Sequence, residues 1–244
     1  KEKNFIKKVK ILLSDQLKNL PRKLIAKKSL TKNGILIQVY SDKQLENLVM
    51  QSHYGCDEAG RGALNGPVVA AAVNLGNASI PELNDSKQLS ESARDELFEK
   101  ITTMASDVSI AVVSPAAIDR LNILNATMSA MLQSYVGRKG EPNLMLIDGN
   151  RVPEIPDGAR FFSVVKGDAK VPAISAASII AKVTRDNIMM DLAQTYPEMK
   201  YEVHKGYGTA LHLEMIDKHG INDSYRMTFK PIRERFGVHQ KSLF

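Results

Sequence analysis

Two acidic residues side by side in an apolar stretch are the first chemically unusual feature of this chain. Asp57 and Glu58 stand within Tyr54-Gly55-Cys56-Asp57-Glu58-Ala59, and Gly60-Arg61-Gly62 follows. An ionised carboxylate in such a run is costly unless a cation or hydrogen bonds compensate it. Neighbouring side chains on a strand point to opposite faces, so the two line one surface only if the chain bends at Ala59-Gly60. A third carboxylate, Asp148, ends the run Leu144-Met145-Leu146-Ile147 ahead of Gly149-Asn150. Taken alone, Asp-Gly-Asn after a strand reads first as a plain turn.

A fourth acidic position closes Ala176-Ala177-Ser178-Ile179-Ile180-Ala181-Lys182-Val183-Thr184-Arg185-Asp186, whose small residues let a helix approach a sheet closely. Ser178, Lys182 and Asp186 are four residues apart and share one helical face, so a hydroxyl, an ammonium and a carboxylate point together. The plain alternative is an i,i+4 surface pair between Lys182 and Asp186, worth little. Asp168, in Lys166-Gly167-Asp168, is a rival acidic candidate. Carboxylates alone suit hard Mg2+ or Mn2+. Zinc is disfavoured, because the histidines His53, His204, His212, His219 and His239 form no HExxH pair and Cys56 is the only cysteine. No phosphate-binding GxxxxGK[ST] loop and no serine-hydrolase elbow occur. Cys56 cannot form an internal disulfide, and within its apolar strand it reads as a small core residue rather than a nucleophile.

The elements that must position these groups show an α/β texture from Tyr54 onward. The expected strands are Tyr54 to Ala59, Val68 to Leu75, Val108 to Val113, Leu144 to Asp148 and Phe161 to Val165. The first three follow closely enough for antiparallel, hairpin-like pairing, and a long helical stretch from Leu121 to Tyr135 suits a crossover to a parallel strand. A helix is expected from Ile174 to Gln194, with shorter helices and loops after Tyr196. The fold class is therefore α/β, a five-stranded mixed sheet flanked by helices. Three regions are expected: a basic extension over 1–42, the main domain over 43–236 and a tail over 237–244.

The 244 residues carry a formal charge of +6, unevenly spread. Residues 1–32 hold eleven Lys/Arg against Glu2 and Asp15, a balance of +9, so the rest of the chain is at −3. Phe5, Ile6, Val9, Leu12, Leu13 and Leu17 recur at roughly helical spacing among lysines, a strand-like Ile35 to Tyr40 follows, and then a helix-like Lys43 to Gln51. Such a basic arm suits a polyanion partner, or is simply a solvated helix face. No run approaches the roughly 20 apolar residues of a membrane span, and no signal-peptide pattern opens the chain, so a cytoplasmic protein is expected, by default a monomer.

These residues resemble the type 2 ribonucleases H, bacterial ribonuclease HII in particular. The resemblance runs from Tyr54 to Arg233 through YGCDEAGRG, GPVVAAAV, LNDSKQLS, LNILNATMSAM, LIDGN, VVKGD, ISAASIIAKVTRD, HKGYGT and FKPIRE. It implies a ribonuclease H-like fold and an endonuclease that hydrolyses the RNA strand of RNA/DNA hybrids and nicks 5′ to ribonucleotides embedded in duplex DNA. It further implies two Mg2+ or Mn2+ ions held by Asp57, Glu58, Asp148 and, at the end of AASIIAKVTRD, Asp186. Gly60, Arg61 and Gly62 match the family's ribose reader, and Tyr207 matches the aromatic stacked on the next sugar. Phosphate contacts are expected from Lys87, Arg61, Ser178 and Lys182. Ala63, Asn65 and Tyr225 depart from the usual family residues. The C-terminal Gln240-Lys241-Ser242-Leu243-Phe244 resembles the bacterial sliding-clamp binding peptide, with Gln240, Leu243 and Phe244 as anchors. Competing readings are a non-catalytic nucleic-acid-binding module and a related nuclease with another nucleic-acid substrate.

Overall fold

A computed structural model describes residues 42–83 and 89–237. The helix and strand expected before residue 42, Lys87, and the tail anchors Gln240, Leu243 and Phe244 lie outside the described residues.

Helix α1 (Asp42–Val49) leads into β1 (Tyr54–Ala59) and β2 (Val68–Asn74), then α2 (Glu91–Met104) and β3 (Asp107–Val113). Helices α3 (Pro115–Leu121) and α4 (Ile123–Val136) cross to β4 (Leu144–Asp148) and β5 (Arg160–Val164). The long α5 (Pro172–Thr195) and the shorter α6 (Tyr201–His204), α7 (Ala210–His219) and α8 (Lys230–Phe236) follow among the described residues. The sheet order is β3-β2-β1-β4-β5. β1 pairs antiparallel with β2 and parallel with β4, β2 pairs antiparallel with β3, and β4 pairs parallel with β5.

The antiparallel trio and the parallel crossover match expectation, but α2 intervenes between β2 and β3, so that connection is no hairpin. Its start is written in the sequence: the Ser90 hydroxyl accepts from the Ala93 N–H as an N-cap, and Leu97, Phe98 and Ile101 recur at helical spacing and are buried. The helix expected from Leu121 to Tyr135 is present as α4, starting after Asn122, and the short α3 before it was not expected. Asn122 adopts φ 64°, and its side chain accepts from the Asn125 N–H to start α4.

Both faces of the sheet are covered. Along β2, Val69, Ala71 and Val73 face α2 and α5, while Val68, Ala70 and Ala72 face α3 and α4, the period-two alternation of a strand. Small residues bring α5 close to the sheet. A Cβ at Gly55 would lie 2.1 Å from the Ala173 carbonyl carbon, so any side chain there would push the helix away. Cys56 is buried at 3.8 Å from the Ser134 hydroxyl, and burial pushes its thiol up, as befits a core residue. A separate cluster of Leu64, Met189, Tyr201, Ile216, Tyr225 and Ile232 joins α6–α8 to the end of α5. No helix among the described residues is long and apolar enough to cross a membrane.

Candidate active site

The strand register brings together acidic residues far apart in sequence. Cys56 pairs with Ile147 across the parallel β1–β4 ladder, which sets Asp57 and Asp148 side by side one position further on. Both fall on the face covered by α5, together with Gly55 of β1 and Leu144 and Leu146 of β4. Glu58 falls on the other side of β1 by alternation. It lies near the strand's end, where the chain turns at Gly60 with φ 92°, and still borders the cleft. The short turn Gly167–Ala169 lies against Asp148, whose Oδ1 accepts from the Gly167 N–H at 2.7 Å and the Asp168 N–H at 3.4 Å.

Burial first, then the negative charges of Glu58 and Asp148 and more weakly that of Asp168, hold the Asp57 carboxyl well above the usual carboxylate range. Only the Glu58 N–H, donating to Asp57 Oδ1 at 2.7 Å, opposes this. Among the described residues no Lys or Arg forms an ion pair with Asp57 or Asp148. A buried carboxylate raised by its neighbours lacks a cation, and an all-oxygen set suits a hard divalent ion. The residues thus fit Mg2+ or Mn2+, although among the described residues no three acidic, histidine or cysteine side chains form a finished metal cage.

Asp186, the sequence choice for the fourth ligand, is engaged elsewhere. Both of its oxygens accept from Lys182 Nζ, at 2.7 and 2.5 Å, because the two residues are one helical turn apart on α5. It acts on Asp95 of α2, whose carboxyl is raised by burial, by Glu91 and also by Asp186. Asp168, the rival candidate, donates its backbone N–H to Asp148, and its charge adds to the raising of the Asp57 carboxyl.

A cleft of about 410 Å3 opens beside this group, lined by Glu58, Ala59, Gly60, Arg61, Gly62, Arg94, Ser178, Ile179, Lys182 and Tyr207. The structure therefore gathers Gly60, Arg61, Gly62, Ser178, Lys182 and Tyr207 into one place. Arg61 Nη1 reaches Glu58 Oε1 at 3.0 Å. Tyr207 is 36% exposed, pairs through its backbone with Ala63, and lies over the Arg185 guanidinium, 5.1 Å from ring centroid to the guanidinium carbon. The two glycines differ. A Cβ at Gly60 would sit 2.1 Å from Arg185 Nε, whereas one at Gly62 would meet nothing closer than the Tyr207 ring at 3.9 Å.

Sequence reasoning missed what holds this loop. Arg185 and Arg226 are fully buried. Arg185 donates to the carbonyls of Pro67, Lys205 and Asn65, and Arg226 to those of Gly66, Arg61, Gly60 and Pro67. Burial and the charge of Arg185 lower the Arg226 pKa to about 9, the cost of spending a cation on loop carbonyls. Two of the family departures also meet here, since Asn65 and Tyr225 are backbone partners. Behind Tyr207, His204 and His212 stack at 4.0 Å. His212 Nδ1–H donates to the Tyr207 carbonyl, and its Nε2 accepts from the Tyr225 hydroxyl.

A mixed five-stranded sheet with carboxylates at the ends of its central parallel strands, facing a cationic cleft, defines a ribonuclease H-like hydrolase. The ribonuclease HII family model matches residues 54–232. A ribonuclease HII of Shewanella loihica is 49% identical over 195 residues, covering 79% of this chain and 94% of that protein. Among solved structures, ribonuclease H2 of Pyrococcus horikoshii aligns with a TM-score of 0.64 at 28% identity, covering 75% of this chain and 96% of that one. The ribonuclease HII of Archaeoglobus fulgidus, solved as a PCNA complex, aligns with a TM-score of 0.60 at 26% identity, covering 74% and 96%. The chain belongs to the ribonuclease HII family.

Proposed function

We propose that this enzyme hydrolyses the RNA strand of RNA/DNA hybrids and nicks duplex DNA 5′ to an embedded ribonucleotide. The observation that carries this reading is the empty space at Gly62. The fold does not need a glycine there, yet a missing side chain leaves backbone groups open to a sugar, and the 2′-hydroxyl is the backbone feature that separates RNA from DNA. Tyr207, half-exposed beside Gly62, would stack on the adjacent sugar.

Asp57, Glu58, Asp148 and Asp168 would hold two Mg2+ or Mn2+ ions, with Asp186 assigned instead to fixing Lys182 at the cleft wall. Such ions would supply an activated water and stabilise the leaving 3′ oxygen. The protein's own part is placement: the Gly167 and Asp168 N–H groups orient Asp148, and Arg185 and Arg226 fix the loop that meets the sugar.

The test is cleavage of a duplex carrying one ribonucleotide, with Mg2+ or Mn2+, beside an all-DNA control. Selective nicking 5′ to the ribonucleotide is expected, and equal cutting of both duplexes would overturn the substrate assignment. A binding module without activity would leave both intact. A role in replication or repair is proposed on the same ground.

The tail from Gln240 to Phe244 is further proposed to bind a sliding clamp, a reading supported by the relative solved as a PCNA complex. Purified clamp should bind the tail peptide and lose it in a Leu243→Ala/Phe244→Ala version; absence of binding by the native peptide retires the idea.

A further inference from the structure

Among the described residues three cations border the cleft, and their charges are not equally available. Arg61 is paired with Glu58 at 3.0 Å, and Lys182 with Asp186 at 2.5 Å. The third, Arg94 on the first turn of α2, has no carboxylate within ion-pair distance among the described residues. Asp95, its chain neighbour, feels its charge without forming an ion pair with it. Arg94 Nη1 donates to the Leu89 carbonyl at 3.0 Å, which steadies the guanidinium at the cleft wall. A guanidinium offers further N–H donors beyond that one, arranged to meet two oxygens at once.

We infer that Arg94 is the principal phosphate anchor of the cleft, gripping a backbone phosphodiester of the bound nucleic acid. This rests on the nucleic-acid reading of the same cleft. A phosphate approaching Arg61 or Lys182 must compete with a carboxylate already in place, and the gain there is reduced by the ion pair it disturbs. At Arg94 no carboxylate among the described residues has to be displaced, so more of its charge contributes to binding. The acidic residues beside the cleft make a cation in its lining the more necessary, because a polyanion must otherwise enter against Asp57, Glu58 and Asp148.

The experiment measures affinity of the full chain for a short fluorescent RNA/DNA hybrid between about 50 and 200 mM salt, with metals chelated so that nothing is cut. Each phosphate contact contributes about one to the slope of log affinity against log salt. Arg94→Gln should lower that slope by about one, so that its deficit against the native chain shrinks roughly fourfold across the range. Arg94→Lys, which keeps the charge, should restore the slope. Lys100→Gln, on the same helix and paired with Glu82 at 2.6 Å, removes the same charge away from the cleft and should leave the slope unchanged. A native slope in Arg94→Gln overturns the inference. So does weaker binding at an unaltered slope that Arg94→Lys fails to restore, the mark of a structural role through Leu89. No binding by the native chain would instead remove the reading beneath it.

Discussion

The two glycines that flank Arg61 should respond to the same mutation in opposite ways. Gly60 has φ 92°, a conformation that costs a side-chain-bearing residue about 1–3 kcal/mol, and its added methyl would strike Arg185 Nε at 2.1 Å. Arg185 is buried and donates to Asn65, Pro67 and Lys205, so displacing it strands at least one buried carbonyl at about 1–3 kcal/mol more. Gly60→Ala should therefore lose about 4 kcal/mol, which in a domain of this size lowers Tm by roughly 10 °C. Gly62→Ala meets only the Tyr207 ring at 3.9 Å and has no positive φ, so its stability should stay within about 1 kcal/mol of native. Its methyl instead fills the space reserved for a sugar. Loss of one or two hydrogen bonds to the 2′-hydroxyl should reduce kcat/KM on an embedded ribonucleotide by about 10- to 100-fold. Thermal denaturation and single-ribonucleotide nicking, run on the same preparations, read both quantities. Gly62→Ala with native activity would refute the sugar assignment, and Gly62→Ala as unstable as Gly60→Ala would show that the fold itself needs the second glycine.

Other expectations follow from the charges. Adding Mg2+ or Mn2+ at 100 times Kd should stabilise the protein by about 2.7 kcal/mol, and a chelator should reverse it; Asp57→Asn should raise the metal-free Tm by relieving the repulsion around that buried carboxyl, while abolishing the metal-induced shift and the cutting. His212 is held neutral by burial first and by His204 next, with a pKa lowered to about 4. A histidine whose folded pKa lies below its unfolded value of 6.5 contributes stability that is intact above pH 6.5 and lost as pH falls toward about 4, here of the order of 3 kcal/mol. Urea denaturation at pH 7.5 and pH 5 checks this, and His212→Gln should flatten the difference. Arg226→Met should cost about 3 kcal/mol or more, since four hydrogen bonds to the carbonyls of Gly60, Arg61, Gly66 and Pro67 disappear at once; a native Tm would show that the loop holds itself.

Much of this protein is written locally. The apolar runs give the five strands, the small residues from Ala173 to Ala181 give the helix that lies on them, and Asp57, Glu58 and Asp148 stand out because carboxylates are rare at the ends of such runs. The order and spacing of these pieces also carried the family. Helix α2, which carries Arg94, is also legible in the sequence, from Ser90 as a cap and the helical spacing of Leu97, Phe98 and Ile101.

Other features depend on distance in space, for which local pattern has no signal. Asp57 and Asp148 become neighbours only through the parallel β1–β4 register. The sequence offered both Asp168 and Asp186 at the edge of the site. The docking of the 167–169 turn on Asp148 is tertiary, whereas the Lys182–Asp186 pair is local to one turn of α5 and was open to sequence reading. Arg185 and Arg226 look like ordinary surface cations in the sequence. Their burial is decided by the eight-residue loop from Gly60 to Pro67, which lies outside the sheet and several of whose carbonyls take side-chain donors brought from α5 and the segment before α8.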